Sequence, residues 1–521
     1  MDVGVPVVTL NGRAMSFAAM AGIGSRAVQA VACPDGLARC RAGRAALERA
    51  MAAGIDVYGA TTGVGAMKDV HFEDDELARF NAGLVRAHHF GTGEPFPLSV
   101  VRNAMAIRVN TALTGRVGCT TELVSAYLGL LTADVVPVVR RTGSIGCADI
   151  GLMGQIGAML SGYGEAVLRG QRMPAMAALQ AAGLKPVRME PKDGLASVSV
   201  NAVGFAAAGE ALRKAASSLR VLLATSLASA GAMGASRDPW KAAAHVGTER
   251  EAAIGAWLFD ASDDWAWPAD THIQDPLSLR MMSQILGVVL GAVSAAGRTL
   301  CEATGRVDDN PVVVEGMMLT SGGSLPLDVT VSLETASIAM AHAARNSFNR
   351  CVIIGNGMRR GLPINLVPPG TVATGFGPVI KLAGDLYMRV MSMVQPISPQ
   401  SMVVAAGIED EAAFLPLVVE RFERQVEAIR RLSALEALLA AQAMDLMADR
   451  PKGVVGLVRE LVRSHADFYE EDRPLSSEVE AIEATLGSDE TMERLMALAP
   501  MPDMDDFFAL HPGFTKLPPL A

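Results

Sequence analysis

Aromatic side chains are scarce in this chain of 521 residues, since Phe, Trp and Tyr together supply only 5%. Half of the residues are nevertheless hydrophobic, and most of these are Ala, Leu, Val and Met. Such a composition can bury a large core and excludes an intrinsically disordered protein. Small apolar residues favour helices that pack closely on other helices, so the composition predicts a mainly α-helical protein.

Positive charge is also in short supply, because 45 Lys and Arg stand against 55 Asp and Glu, a net charge of -10. No stretch is basic enough to follow a phosphate backbone, so we expect no nucleic-acid partner. Residues 1–16 lack the basic and apolar regions of a secretory signal. The apolar segment 284–297 is shorter than the roughly 20 residues that span a bilayer, so we expect a buried helix and no membrane partner.

Cysteine is rare as well, and its six copies are scattered along the chain. They form neither a CxxC pair nor a spacing with histidine that is typical of a metal site. Both observations favour reduced thiols in a cytoplasmic protein without a metal.

The chain divides by pattern into three regions. Short helical patterns alternate with glycine-rich turns over residues 1–200, long alanine-rich patterns fill 201–450, and 451–521 is more charged. We therefore predict an N-terminal domain, a central long-helix bundle and a C-terminal helical cap. Apolar residues recur every three or four positions over 409–447, which predicts one long helix.

Three loops between these helices contain unusual polar residues. Tyr58 lies in the glycine-rich "VYGATTGVG", Arg280 ends "QDPLSLR", and Glu409 lies in "GIEDEAAF". Each has an ordinary interpretation when taken alone: a structural tyrosine, a solvated arginine, and a glutamate that compensates a helix dipole.

Taken in order, these loops resemble the motifs of the histidine and phenylalanine ammonia-lyase superfamily over nearly the whole chain. "RAHHFGTG" resembles the family's histidine segment, "KDGLASVSVNAVG" resembles "KEGLALxNGT", and "QDPLSLR" matches "QDPYSLR" at six of seven positions. "DDNP", "SGG" and "FYEEDRPLSSEVEAI" fit too. The resemblance implies an all-α fold with a central long-helix bundle of the ammonia-lyase (fumarase/aspartase-like) type. It also implies a homotetramer whose active sites combine loops of three subunits.

The family removes ammonia from aromatic amino acids with a methylidene-imidazolone ring, which forms from an Ala-Ser-Gly tripeptide. Here the equivalent residues are Gly146, Cys147 and Ala148. The Cβ of Ala148 hinders the sharp ring-closing geometry that glycine permits. Cys147 does not exclude a ring by itself, because it could lose hydrogen sulfide in place of water. The family's asparagine and tyrosine near the ring read Ser199 and Leu277, so we expect no prosthetic ring and no other cofactor.

The resemblance implies roles for the retained polar residues. Tyr58 would be the base that takes the Cβ proton of a small-molecule substrate, and Arg280 would hold its carboxylate bidentately. Without a ring, the substrate must carry its own good leaving group, such as trimethylammonium. One branch of the superfamily, ergothionase, releases trimethylamine from ergothioneine, and a Lys and a Glu are thought to belong to that site; Lys381 and Glu409 could form this pair. Substrate-binding positions are implied at His88, Ser199, Leu277, Arg280 and Asn310.

Two alternatives stay open at this point. The protein could be a conventional histidine or aromatic amino acid ammonia-lyase, or an aminomutase, with an atypical ring from residues 146–148. It could also be a non-catalytic helical scaffold. For single residues, Lys381 could be a solvated helix residue, Trp265 and Trp267 are expected in a surface loop or around a cation, and Asp149 is expected to cap the helix that follows it.

Overall fold

A computed structural model describes residues 6–268, 272–400 and 402–511. Helices make up 58% of it and strands 7%, which confirms the all-α prediction. The strands are short and form four small sheets, three of two strands and one of three, within the described part of the chain. The division of the chain into three domains stays a prediction.

The N-terminal region contains β1 (Val7–Leu10), α1 (Phe17–Gly24), β2 (Gln29–Ala32), α2 (Pro34–Ala52), α3 (Asp74–Ala87), β3 (Thr92–Pro95), α4 (Leu98–Ala112), α5 (Thr121–Thr132), β4 (Val135–Pro137), β5 (Arg140–Thr142), α6 (Ile150–Leu160), β6 (Glu165–Leu168), β7 (Gln171–Pro174), α7 (Ala175–Ala181) and α8 (Asp193–Val198). The central region contains α9 (Ala202–Ala232), α10 (Asp238–Val246), α11 (Glu249–Ala261), α12 (Leu277–Arg280), α13 (Met282–Ala303), β8 (Val312–Val314), β9 (Met317–Leu319), α14 (Leu327–Gly355), α15 (Val379–Ser392) and α16 (Leu415–Leu446). The C-terminal region contains α17 (Gly453–Arg463), α18 (Ser476–Leu486), α19 (Asp489–Leu498) and α20 (Pro502–Asp505).

Three long helices, α9, α14 and α16, run parallel to one another. At their beginnings, a Cβ built on Gly204 of α9 would lie 2.9 Å from the Leu415 side chain of α16. Further along, Arg350 of α14 donates to Ser226 of α9 and to Glu436 of α16. The beginnings of α9 and α16 therefore lie together, and the second halves of all three helices meet at Arg350. The N-termini of all three helices thus lie at one end of the bundle.

The buried ion pair between Arg350 and Glu436 ties these helices together. Both side chains are fully buried, and Ser347 adds a hydrogen bond to the carboxylate. A buried charge that loses its partner costs about 3–5 kcal/mol. The pair therefore opposes any register in which α14 slides along α16.

Helix α15 returns antiparallel to α14. A Cβ on Gly355, at the end of α14, would lie 2.7 Å from Ile380 at the start of α15. One to two turns away, the rings of Phe348 and Tyr387 stack with centroids 5.3 Å apart. The start of α15 thus lies at the end of the bundle opposite to the three N-termini.

The long helix predicted over residues 409–447 begins later than expected, at Leu415. Phe414, the residue before the helix, has a left-handed φ of 53° and is the last residue of the irregular segment that precedes α16. Pro416 consequently falls in the first helical turn, where a missing N–H costs nothing.

By length and composition alone, two helical stretches in the described part could cross a membrane. These are Asp193–Ala232 and α13, and 89% and 44% of their apolar windows are buried inside the molecule. Core helices pass the same test, so this is weak evidence for a membrane span. The apolar segment 284–297 lies within the 22-residue helix α13, so a helix forms there as expected, and it extends beyond both ends of that segment.

Trp265 and Trp267 pack on the end of α9. The Trp267 ring contacts those of Trp240 and Trp265 at centroid distances of 5.6 and 5.7 Å. Its indole N–H donates to the Ala235 carbonyl at 2.8 Å, and both rings lie over Gly231. The two tryptophans lie in a loop, as expected, but their half-buried rings pack on α9 and do not project into solvent.

The six cysteines are free thiols in the structure. A cytoplasmic location, which was inferred from them, stays a prediction.

Candidate active site

The segment Gly146-Cys147-Ala148 forms a tight turn at the N-terminal end of the bundle. Ala148 has a left-handed φ of 63°, and its N–H donates to the Ser324 carbonyl at 3.0 Å. Its own carbonyl accepts from Val200 N–H at 3.0 Å. Gly146 is pressed against the start of α16, where an added Cβ would lie 2.4 Å from the Phe414 nitrogen. Only glycine fits this position without a shift of the backbone.

Asp149 follows the turn and is fully buried. It occupies the N-cap position of α6, but its side chain makes no capping bond there. Its carboxylate instead accepts from Gly204 N–H in the first turn of α9 at 2.6 Å, and from the Ser144 hydroxyl at 3.0 Å. The expectation that Asp149 caps the following helix was wrong, because the carboxylate satisfies a donor of a helix that begins 53 residues later.

Burial raises the pKa of Asp149 to about 7. The hydrogen bonds from Gly204 and Ser144 act in the opposite direction, and the nearby Asp308 carboxylate adds to the rise. The pKa of Asp308 itself is raised to about 6, again chiefly by burial. The floor of the site thus contains two buried acids that titrate far above the usual carboxyl range.

The N-termini of α6, α9, α14 and α16 converge on this turn. Helix α6 begins at the residue after Asp149, and Gly204 lies in the first turn of α9. The Phe414 N–H, just before α16, donates to the Ile145 carbonyl at 2.9 Å. Ser324, three residues before α14, accepts from the turn. Helix N-termini favour negative charge, so their fields stabilise an anion at this place.

The loops that carry Tyr58 and Glu409 pack against each other. Each contains a short 3-10 turn, and a Cβ on Gly65 of the first would lie 3.7 Å from the Ala405 Cβ of the second. Val404 N–H donates to the Glu409 carbonyl at 2.9 Å, which closes the second loop. The structure therefore brings the two residues to one side of the turn within one chain.

Tyr58 is half-buried, and its hydroxyl oxygen accepts from Gly65 N–H at 2.7 Å. Burial is the largest influence on its pKa and raises it. The Gly65 hydrogen bond lowers it, whereas Glu409 and Cys147 raise it further. No cation is among the groups that act on Tyr58 in the described chain, so a lowered phenol pKa requires positive charge from elsewhere.

Cys147 points toward the same groups. Its Sγ lies 3.6 Å from the Ser324 hydroxyl. Burial raises the pKa of the thiol, and the Glu409 and Asp149 carboxylates raise it further, while the Ser324 hydroxyl lowers it. Cys147 is therefore a neutral thiol near pH 7 and a weak nucleophile.

His88 contacts α6 at Gly154, six residues after Ala148. It caps the C-terminus of α3, and its backbone packs on Gly154 of α6, where a Cβ would lie 2.3 Å from the His88 oxygen. Its Nδ1 lies 2.7 Å from the Leu84 carbonyl, so Nδ1 carries the proton of this bond. Nε2 is then an acceptor in the neutral ring.

Ser199 borders the turn, whereas Asn310 lies on the loop that leads to α14. Ser199 is half-buried and precedes Val200, whose N–H binds the Ala148 carbonyl. Asn310 Oδ1 accepts from Ser321 N–H at 2.9 Å and so holds the loop that leads to α14. Asn310 has a structural contact in one chain, and its place in substrate binding stays a prediction.

Arg280 is far from these residues within one chain. Its helix, α12, is fixed to α14 by a hydrogen bond from Asn346 to the Ser278 carbonyl at 3.0 Å. Asn346 lies 19 residues after the start of α14 at Leu327, which is about 28 Å at the α-helical rise. The Arg280 Nε is buried and has no hydrogen-bond partner among the described residues. Leu277, on the same short helix, is exposed.

Lys381 lies even farther along the bundle. Its neighbour Ile380 packs beside Gly355, which is 28 residues or about 42 Å along α14 from Leu327. The Lys381 side chain is exposed. The expected pairing of Lys381 with Glu409 does not form within one chain.

Sequence reasoning missed Ser324 and the network behind the turn. Asp308 accepts from the Asn201 backbone N–H at 2.7 Å and from its side-chain amide at 2.9 Å, and that amide also donates to the Ser324 carbonyl. The conspicuous "SGGS" turn was the available signal, but nothing local showed its partner. Within the described ranges, no cluster of three His, Cys, Asp or Glu residues is arranged to hold a metal.

Comparison with known proteins identifies the family of this fold and site. A family model described as "Aromatic amino acid lyase" matches residues 15–466. The chain belongs to the aromatic amino acid lyase family. As a member of this family, it is a carbon–nitrogen lyase with a small-molecule substrate.

Several members of the family are similar over nearly the full length. Histidine ammonia-lyase from Stigmatella aurantiaca is 30% identical over 499 residues, with 94% of this chain and 98% of the relative covered. The crystal structure of ergothionase from Treponema denticola, an ergothioneine-degrading enzyme, has a TM-score of 0.89 at 26% identity and covers 92% of this chain and 98% of its own. Histidine ammonia-lyase from Trypanosoma cruzi shares the fold, with a TM-score of 0.86 at 22% identity and 99% coverage of both chains.

The pKa of Asp149 predicts how the stability of this lyase depends on pH. Because that pKa is raised to about 7, the folded protein keeps a proton that the unfolded chain releases near pH 3.9. The contribution of Asp149 is complete below about pH 4 and is lost as pH rises through 7. We expect Asp149→Asn, which cannot ionise, to flatten the decline of Tm between pH 5 and pH 8 in thermal unfolding.

Asp260→Asn, at an exposed position of α11, is the matched control and should follow the wild-type curve. Part of the decline should persist in Asp149→Asn, because burial also raises the pKa of Asp193 and Asp308 to about 6. Parallel wild-type and Asp149→Asn curves would show that Asp149 does not titrate in this range.

Proposed function

We propose that this lyase eliminates a tertiary amine from an α-amino acid derivative with a quaternary ammonium group and an imidazole-type side chain. Trimethylamine release from ergothioneine is the specific reaction. The observation that carries the proposal is the combination of Tyr58 and Glu409 with a turn that differs from Ala-Ser-Gly at all three positions. The similarity to ergothionase from Treponema denticola over almost the full chain supports it.

The contacts of the turn favour a linear backbone at residues 146–148. Ring closure uses the amide nitrogen of the third residue, and here that nitrogen, in Ala148, donates to Ser324. The Cα next to this nitrogen carries a Cβ, because residue 148 is alanine and not glycine, and its backbone is left-handed. Ser199 and Leu277 replace the polar groups that surround the ring in the resembling family. These residues do not fit the prosthetic group.

A trimethylammonium group suits a site without an electrophile. It has no lone pair that could add to an electrophilic ring, and its permanent charge makes it a good leaving group. In the proposed step the Tyr58 phenolate takes the Cβ proton, and the electrons of the C–H bond form the Cα=Cβ double bond. The C–N bond breaks, and trimethylamine leaves with its electron pair. The products are a conjugated acid and the free amine.

The charges around the turn fit the two ends of such a substrate. The Glu409 carboxylate, beside Tyr58, would face the ammonium group. The His88 Nε2, free to accept, would bind an N–H of an imidazole-type ring.

Arg280 and Lys381 reach this site in the proposal only from neighbouring chains. Within one chain they lie about 28 and 42 Å along α14 from its start. A two-fold axis across the bundle would place the far end of one chain beside the turn of another. An exposed apolar stripe along α14 supports such an interface, and its members are Leu327, Val331 and Ile338. We therefore propose a homotetramer with shared sites, in which these two cations lower the pKa of Tyr58.

One alternative has an observation of its own. The Stigmatella aurantiaca relative is named histidine ammonia-lyase, and at 30% it is more similar in sequence than ergothionase at 26%. An ammonia-lyase or aminomutase with an atypical ring from residues 146–148 is thus the second candidate. Peptide mass separates the two, because ring formation removes small molecules.

The first experiment combines turnover with mass. We expect the purified protein to convert ergothioneine to trimethylamine and a conjugated acid, which is followed by its ultraviolet absorbance. Histidine is the control substrate and should release no ammonia. The peptide that contains Cys147 should have its unmodified mass. Ammonia release from histidine together with a dehydrated or desulfurised peptide would instead support the second candidate.

Replacement of Tyr58 by Phe tests the base. The change removes one oxygen and keeps the ring, so Tm should change little, while kcat should fall about 10²–10⁴-fold, as for a lost general base. Wild-type kcat should rise with pH, because burial raises the phenol pKa. Lys381→Met should move this rise to higher pH. Tyr163→Phe, at an exposed ring, is the control; a Tyr58→Phe enzyme with near-wild-type kcat would exclude Tyr58 as the base.

Mixed oligomers test the shared site. Tyr58→Phe and Arg280→Ala should each be nearly inactive alone. If one site takes its tyrosine and its arginine from different chains, random co-assembly of the two variants restores about a quarter of the sites. We expect this recovery in co-expressed, doubly tagged tetramers checked by light scattering. Inactive mixed tetramers would mean that both residues act from the same chain.

A further inference from the structure

A second polar cleft lies on the N-terminal region, on the other side of the loop that leads to α14. Its volume is about 850 Å³, within the range of small-molecule sites. It is lined by four elements that meet there: the end of β1, the start of α2, the loop after α4 and the loop after α13. The lining side chains that matter are Arg13, Arg39, Arg116, Arg306 and Ser321.

The cleft concentrates positive charge in a protein whose net charge is negative. Arg306 is paired with Asp328, but Arg39 donates only to the carbonyls of Asn11 and Leu113, at 2.8 and 3.0 Å. Across the described residues, the guanidinium groups of Arg13 and Arg116 have neither a hydrogen bond nor an ion pair.

Asp35 is the one carboxylate in the lining, which also contains three arginines without a carboxylate partner. Planar guanidinium groups bind phosphate oxygens bidentately. Asn11, Thr9 and Thr114 add neutral donors and acceptors to the wall.

We propose that this cleft binds a small phosphorylated anion and that its occupancy regulates the candidate active site. The regulatory part rests on the function proposed above, whereas the binding part does not. A phosphate group would lie between Arg13 and Arg116, with Ser321 as a further hydrogen-bond donor.

The backbones of Arg13 and Arg116 both contact the loop between α13 and α14. The Arg116 carbonyl accepts from Val313 N–H in β8 at 2.8 Å. At the other end of the loop, a Cβ built on Gly305 would lie 2.6 Å from the Arg13 carbonyl carbon. An anion that draws Arg13 and Arg116 together therefore acts on this loop at two points.

The same loop ends beside the turn at residues 146–148. Ser321, in the cleft, accepts from Gly323 N–H through its hydroxyl at 3.0 Å. The next residue, Ser324, accepts from Ala148 N–H and lies 3.6 Å from Cys147 Sγ. A change in the position of Ser321 is thus passed to the turn through three residues of backbone.

Binding is tested first, with pyrophosphate as the probe. We expect saturable binding of pyrophosphate to the wild-type protein in calorimetry at constant ionic strength, and a rise in Tm. The double variant Arg13→Met/Arg116→Met should bind at least about tenfold more weakly, because two bidentate contacts are lost. Lys185→Met/Arg188→Met removes the same charge from exposed positions and should bind like the wild type. Equal affinity in the two double variants, or no saturable binding, would overturn the site.

Regulation is tested with the same proteins. Saturating pyrophosphate should change kcat or KM of the wild type at least about twofold and leave Arg13→Met/Arg116→Met unaffected, as linkage between two sites requires. Sodium citrate at equal ionic strength is the control anion, and an equal effect from citrate would refute specificity for phosphate. Unchanged kinetics with demonstrated binding would overturn the regulatory part. A protein without activity on any amino acid derivative would count against the proposed function and leave the binding result intact.

Discussion

The hydrogen bond between Asp149 and the first turn of α9 is the contact on which the site depends. It joins the turn at residues 146–148 to the bundle of long helices, and the Asp149 side chain that accepts it is fully buried. The beginnings of α14 and α16 reach the same turn through Ser324 and Phe414. Three parallel helices thus contact one short segment. These contacts keep Ala148 in the left-handed conformation, although alanine is less suited to it than glycine.

The same arrangement sets the electrostatics. Parallel helices place their positive ends together, which favours an anion at the turn, and this field opposes the rise in pKa that the Glu409 carboxylate causes at Tyr58 and Cys147. Within one chain that compensation is incomplete, since burial still raises the pKa of Tyr58. Within one chain, Tyr58 lies near the beginning of α14, whereas Arg280 lies about 28 Å along this helix. In the proposed reaction, association of chains would bring the two residues into one site.

The fold class could be predicted from the sequence, whereas the contact partners of the site residues could not. The helical class of the fold follows from the composition. The late start of α16 does not, because the left-handed Phe414 is held by Ile145, far away in the chain. The role of Asp149 was missed for the same reason: a capping rule looks at the next four residues, while its partner is Gly204. Lys381 was placed beside Glu409 from motif position alone, and only the antiparallel course of α15 shows their separation.

A site of this kind can lose an electrophile without losing its architecture. The bonds that fix the turn come from Asp149, Ser324 and Val200, and the three residues that would form a ring contribute only backbone groups to them. Replacement of Ala-Ser-Gly by Gly-Cys-Ala therefore leaves the helix termini, the tyrosine loop and the glutamate loop in position. What changes is the substrate that such a site can process. In the proposed reaction Tyr58 is the base and the site has no electrophile, so the leaving group must already be activated in the substrate. A permanent positive charge on nitrogen is such an activation, and the Glu409 carboxylate would face it.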